Sequence, residues 1–242
     1  MRENVTMGMD GGEGKRDALG FRRRGESTTR LEAFVDAAFA FALTLVVIAV
    51  GSVPSTPEEL LLAMKSIPAF AACFWLLSTF WRGHVDWSER FGLDDGPSRS
   101  LSLGLIFLVL IFVFPLRIVF SSFFAWISDG ALPAEFSFET TADVQRMFQT
   151  FAVAFGSMGA VLFGLYVRVW QLRDELGLDE RERRALRLVM QSWVLLPVFA
   201  LASLGLSLWT PSLRYAAPGM IFFLLHVVHA TLRWNHGRTR HA

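Results

Sequence analysis

Six stretches of this chain, at about 31–51, 58–82, 101–127, 147–170, 186–209 and 214–234, are mainly apolar over a length that crosses a bilayer. A hydrocarbon core of ~30 Å takes about 20 residues of helix. Between these runs lie the residues that end helices: Pro54 and Pro57, then Gly92 through Pro97, then Gly130 with Pro133, and last Thr210 with Pro211. With 53% hydrophobic and only 19% charged residues, the charge is too scarce and too clustered for an ordinary water-soluble domain. The expected fold class is therefore an all-α membrane protein with six transmembrane helices, residues 30–234, between a disordered tail over 1–29 and a short tail over 235–242. Residues 1–29 are Gly-rich and charged, with no apolar core of a cleavable signal peptide.

The net charge of +1 conceals a sorting of signs. Of the 23 Lys and Arg, only Lys65, Arg117, Arg146 and Arg214 fall at the ends of the first, third and fifth connections; the rest crowd the two termini and the second and fourth connections. Glu58, Glu59, Asp129, Glu135, Glu139 and Asp143 occupy the basic-poor side. Basic residues mark the cytoplasmic face, so both termini are expected there. The fourth connection, QLRDELGLDERERRALRL, reads as a solvated segment against anionic lipid heads. Its interleaved acids speak against nucleic acid, and membrane lipid is the expected partner.

The first span, RLEAFVDAAFAFALTLVVIAV, contains Asp36. A carboxylate at a helix centre costs roughly 2.5–3.5 kcal/mol on insertion scales, so it needs a compensating partner. At about 100° per residue, Arg30, Phe34, Phe41, Thr44 and Ile48 share a stripe, and Asp36 points about 200° away from Phe34. Asp36 is thus expected to be a buried anchor for helix packing, with Arg30, Trp81, Arg82 and His84 as candidate partners; the alternative is a proton relay with His84. For Phe41 and Ile48 periodicity alone leaves lipid contact, core packing and a pore all open. Thr44 has the further option of bonding the carbonyl one turn back.

Arg30, Phe34 and Asp36 stand at the spacing of the RxxxFSD signature, Ala40, Thr44 and Leu45 continue as AxxxTL, and Trp81 with His84 forms a WxxH at the end of the second span. In these motifs, and in Phe114 and Pro115 of the third span, the chain resembles the transmembrane protein 175 family of potassium channels. Val35 replaces the signature serine, and Phe41 stands where that family usually carries an aliphatic constriction residue. The resemblance implies a homotetramer whose first helices line a central pore. It also implies a gate at Phe41, Thr44 and Ile48, a structural polar network of Arg30, Phe34, Asp36, Trp81 and His84, and K+ as the permeant ion without a cofactor. The function implied is a passive or gated K+-permeable channel in a bacterial plasma membrane. A proton-coupled transporter using Asp36 and His84, or a non-conducting structural protein, are the alternatives. No TVGYG filter, GxSxG or HExxH occurs, so neither a filter-type channel nor a familiar hydrolase is indicated.

Five further features carry expectations. Arg117 is expected to snorkel to the outer interface or to face the vestibule. His226 and His229, three apart, have a structural role or a metal as alternatives. Trp75, Trp81, Trp87, Trp126, Trp170, Trp209 and Trp234 lie near span ends and read as interfacial anchors. Ala160 and Gly164 form a small-xxx-small pair suited to close helix approach. Cys73, the single cysteine, reads as a small apolar residue.

Overall fold

The computed structural model describes residues 16–25, 27–48 and 54–209. Its helices are α1 (Arg30–Ile48), α2 (Pro57–Lys65), α3 (Ile67–Phe91), α4 (Gly96–Ile127), α5 (Thr141–Gln171) and α6 (Glu180–Trp209). Four of them are long and apolar enough to cross a membrane. The pair α2 and α3, bent by 42°, makes a fifth crossing if taken as one span. The break falls at Ser66, where Pro68 opens α3: proline lacks the N–H that would continue the ladder, and its ring clashes with the preceding turn. The expected second span thus becomes two helices and runs on to Phe91, where Gly92 in the left-handed region closes it. The expected sixth span, His226, His229, Trp234 and the tail over 235–242 lie outside the described residues, as does the side chain of Trp209.

Helix starts follow from local chemistry. Thr29 and Glu32 exchange side-chain-to-backbone hydrogen bonds ahead of α1, Thr140 and Asp143 do so for α5, and Asp179 and Glu182 for α6. Asp95 caps α4, with Pro97 in its first turn. Each arrangement satisfies donors that a helix N-terminus leaves free. Glu32, one of two acids in the first span, is thereby accounted for.

Helices α4, α5 and α6 pack side by side, and α1 lies against α3 and α4. Leu77, Phe80, Leu105, Val109, Met158, Leu162 and Leu165 fill the centre. The close approach of α5 and α6 runs through Gly156 and Gly159: a Cβ on either would stand 2.5 Å from the Cβ of Ala200 or Leu196. The expected pair is displaced, since Ala160 is exposed and Gly164 has only ordinary contact with Leu101. Both pairs share a four- or three-residue spacing, and only the partner helix selects the face that is used. Trp87 also departs from expectation. It is buried, and its indole donates to the Leu165 carbonyl at 3.2 Å, so it belongs to the core rather than to an interface. Trp75 and Trp126 are exposed, and Cys73 is a core residue.

The expected disorder of 1–29 does not describe residues 16–25. Residues 16–25 form a strap across the ends of α3 and α6. Phe21 is fully buried edge-on to Phe91, Arg90 pairs with Asp17 at 2.8 Å, and the amides of Arg24 and Gly25 donate to the Glu89 carbonyl in the last turn of α3. Arg22 and Arg24 both reach Glu182 at 2.9 Å, and Arg16 reaches Asp179 at 2.8 Å. The fourth connection is accordingly no freely solvated segment at this end: Glu182 has no exposed surface. An arginine-rich tail and a Glu-bearing helix start each look solvated when read separately.

Candidate functional site

Helix α1 has two unlike faces. Val35, Phe39, Ala42 and Val46 are buried against the chain's own α3 and α4. Phe34, Phe41, Thr44 and Ile48 are exposed, Phe41 at 56% and Ile48 at 63%, with Ala37 and Ala40 between them. The stripe expected from the 3.6-residue period is therefore the face that the rest of the chain leaves uncovered. The Thr44 hydroxyl donates to the Ala40 carbonyl at 3.0 Å, so the one polar side chain of that outer stretch is satisfied within its helix.

Asp36 sits at the edge between the faces. It is exposed in the single chain rather than buried, and it accepts a hydrogen bond of 2.7 Å from the Trp81 indole of α3. At 200° from Phe34 the residue clears the stripe but stops short of the core, because the buried sector at that level is taken by Val35 and Phe39. His84 behaves differently from expectation. It is buried, and its Nε2 pairs with Ser102 Oγ of α4 at 2.9 Å rather than with Asp36. One helical turn separates Trp81 from His84, and only the indole at the exposed end is placed on Asp36. Arg30 is exposed and enters no ion pair among the described residues. Phe34 contributes an exposed ring, not a polar contact. The five residues thus divide into an Asp36–Trp81 pair, a separate His84–Ser102 pair, and two side chains that join neither. A hollow of about 280 Å³ between the strap and α1 is lined by Ser27, Thr28, Glu32, Asp36, His84 and Glu89, among others.

Arg117 neither snorkels nor faces an open vestibule. It is buried in α4; Nε and Nη2 grip the two carboxylate oxygens of Glu135 at 2.6 and 2.5 Å, and Nη1 donates to the carbonyl of Val46 in α1. Sequence reasoning found Arg117 and the acid separately. It missed Ser102 and the Arg117–Glu135–Val46 junction, since a serine in an apolar run and a glutamate 18 residues away in a loop carry no periodic signal. No group of three or more His, Cys, Asp or Glu suited to a metal occurs among the described residues.

Comparison with known proteins places the same region in context. Residues 30–115 match the family model described as the endosomal/lysosomal potassium channel TMEM175. A protein of Marivirga tractuosa named as a potassium channel is 37% identical over 97 residues, which is 40% of this chain and 39% of that protein. The chain thus spans about two fifths of the length of that curated relative. A crystal structure of a threonine-to-alanine variant of the potassium channel MtTMEM175, bound to a nanobody–MBP fusion, superimposes with a TM-score of 0.78. That likeness covers 94% of this chain and 98% of the other at 23% identity, and it shows a shared fold. The matched residues hold the whole of α1, Trp81 and His84 on α3, and α4 as far as Pro115, so the likeness of this integral multi-pass membrane protein to the TMEM175 family model lies in that part of the chain.

Proposed function

We propose that the chain is the subunit of a K+-permeable cation channel in which four copies surround one axis, with α1 innermost. The observation that carries this reading is the face of α1 bearing Phe34, Phe41, Thr44 and Ile48, which its own subunit leaves uncovered. Cyclic symmetry would repeat each side chain as a ring. Phe41 and Ile48 then supply an apolar constriction able to gate by dewetting, and Thr44 a narrow collar between them. Asp36, tied to Trp81, fixes the rotation of α1 on α3 rather than lining the path. A channel of this kind needs no cofactor. The names of the Marivirga relative and of the solved MtTMEM175 support K+ as the permeant ion. The sorting of basic residues supports six spans with both termini in the cytoplasm of a bacterial cell.

Proton coupling through Asp36 and His84 is disfavoured by the geometry, because His84 is engaged by Ser102 and Asp36 by Trp81. Purified protein in a planar bilayer under a K+ gradient is expected to pass current that reverses near the K+ equilibrium potential. Absence of current, or reversal near zero, ends this reading.

A further inference from the structure

A buried arginine in a membrane helix is costly unless its charge is paired and each of its three nitrogens has a partner. Arg117 meets that demand with two groups from outside its own helix. Glu135, in the connection between α4 and α5, takes Nε and Nη2 in a two-pronged grip. Val46 of α1 offers its carbonyl to Nη1. The guanidinium therefore ties three parts of the chain at one point. Val46 lies on the buried face of α1, two residues from Thr44 and two from Ile48 on the opposite face. Pro115, two residues before Arg117, interrupts the α4 backbone ladder there, so neighbouring contacts decide the local path of α4.

We propose that Arg117 is a positioning residue for ion passage: with Glu135 it clamps the end of α1 that carries Thr44 and Ile48, and Glu135 cancels the positive charge beside that end. The proposal rests on the channel reading for its consequence and on the junction's geometry alone for the clamp. A buried ion pair contributes little net stability over apolar residues of the same shape. Its contribution here is directional: three N–H donors fixed in one plane hold the Val46 carbonyl in one place. Electrostatics adds a second consequence. Without Glu135, each subunit would leave an uncompensated cation beside the proposed path, and a ring of such charges opposes K+ entry.

The test uses the full chain: label mobility is read in liposomes, with Cys73→Ala removing the native thiol and Ile48→Cys carrying a spin label, and current is read in planar bilayers from unlabelled protein with Ile48 and Cys73 in place. Arg117→Met and Glu135→Gln are expected to raise label mobility at Ile48. Arg117→Lys keeps the charge, loses the planar fork, and is expected to fall between them and the parent. In bilayers, Glu135→Gln is expected to lower single-channel K+ conductance roughly tenfold, with a weaker loss as KCl concentration rises and screens the exposed charge. Unchanged label mobility in Glu135→Gln, which keeps the shape of the side chain, overturns the clamp. Raised mobility with conductance at the parental level overturns the role in ion passage. A parent that carries no current while the label still responds refutes the channel reading and leaves the clamp standing. Should Arg117→Met fail to fold, Glu135→Gln and Arg117→Lys supply the same readouts.

Discussion

Two hydrogen-bonded pairs at the base of α1 differ in what surrounds them, and that difference sets what each contributes. His84 and Ser102 are both buried, so Ser102→Ala removes the hydrogen-bond partner of a buried imidazole nitrogen, at a cost of about 1–3 kcal/mol. Trp81 and Asp36 are partly exposed in the single chain, so Trp81→Phe should cost about 1 kcal/mol, a fall in Tm of about 2–4 °C. Thermal unfolding of the two variants in one detergent checks the ranking, and an equal or reversed order would contradict the burial argument. Asp36 shows how far residue-level reading goes. An acid in an apolar run demands a partner, and the demand is visible in the chain. The choice of indole over imidazole is not, because it turns on about 300° of helical phase between Trp81 and His84 and on the depth at which α3 crosses α1.

At the scale of elements, the α5–α6 contact and the strap make opposite kinds of demand. Gly159 is needed because Leu196 leaves no room for a Cβ, so Gly159→Ala must push two long helices apart. Overpacking of this kind typically costs about 1–3 kcal/mol, against which the ordinary gain of helix propensity from Gly to Ala, about 1 kcal/mol, is too small to compensate fully. A Tm below that of the parent is expected. Gly164→Ala, which meets only ordinary contact with Leu101, should be neutral or stabilising. The strap depends on charge instead. The carboxyl of Asp179 is held below the usual carboxylate range by the Glu182 amide, and Arg16 adds to this. A native pKa lowered in this way means that the contribution is complete above the ordinary carboxylate pKa and is lost as pH falls through the lowered native value. A spin label at Leu19, which is exposed, should stay immobile at about pH 5 and loosen only in more acid solution. Glu182→Gln, which removes the charge that Arg22 and Arg24 share, should loosen the label at neutral pH. Loosening of the parent already at about pH 6, where carboxylates remain ionised, would refute the assignment.

For the whole molecule, the decisive question is whether the uncovered face of α1 meets further copies of the chain. If four subunits meet there, Thr44→Cys in a Cys73→Ala background should cross-link between subunits under oxidation, while Val153→Cys, exposed on α5, should not. A helix turned to lipid gives no cross-link at either position, and native mass spectrometry would then report a monomer. The arrangement around α1 also gives the neighbouring helices distinct tasks. α3 and α4 hold the buried face of α1, whereas α6 packs on α5, and α5 in turn chiefly on α6 and α4. A change at Gly159 should therefore register in stability well before it registers in the conduction proposed for α1.

The amino-acid sequence alone determined that the chain lives in a membrane, the middle of most of its described apolar spans, and which face of α1 carries the aromatic and hydroxyl side chains. These are local or periodic properties: the length of an apolar run and a 3.6-residue repeat are both written into neighbouring positions. Tertiary structure alone decided that Arg117 meets Glu135 and Val46, that Arg22 and Arg24 close on Glu182, that Trp87 goes inward, and that Gly156 and Gly159 make the tight helix contact. Each of those joins side chains on separate elements. A charge or a glycine in isolation announces only that it needs a partner or leaves a space, and the crossing of two helices settles which partner or which space it receives.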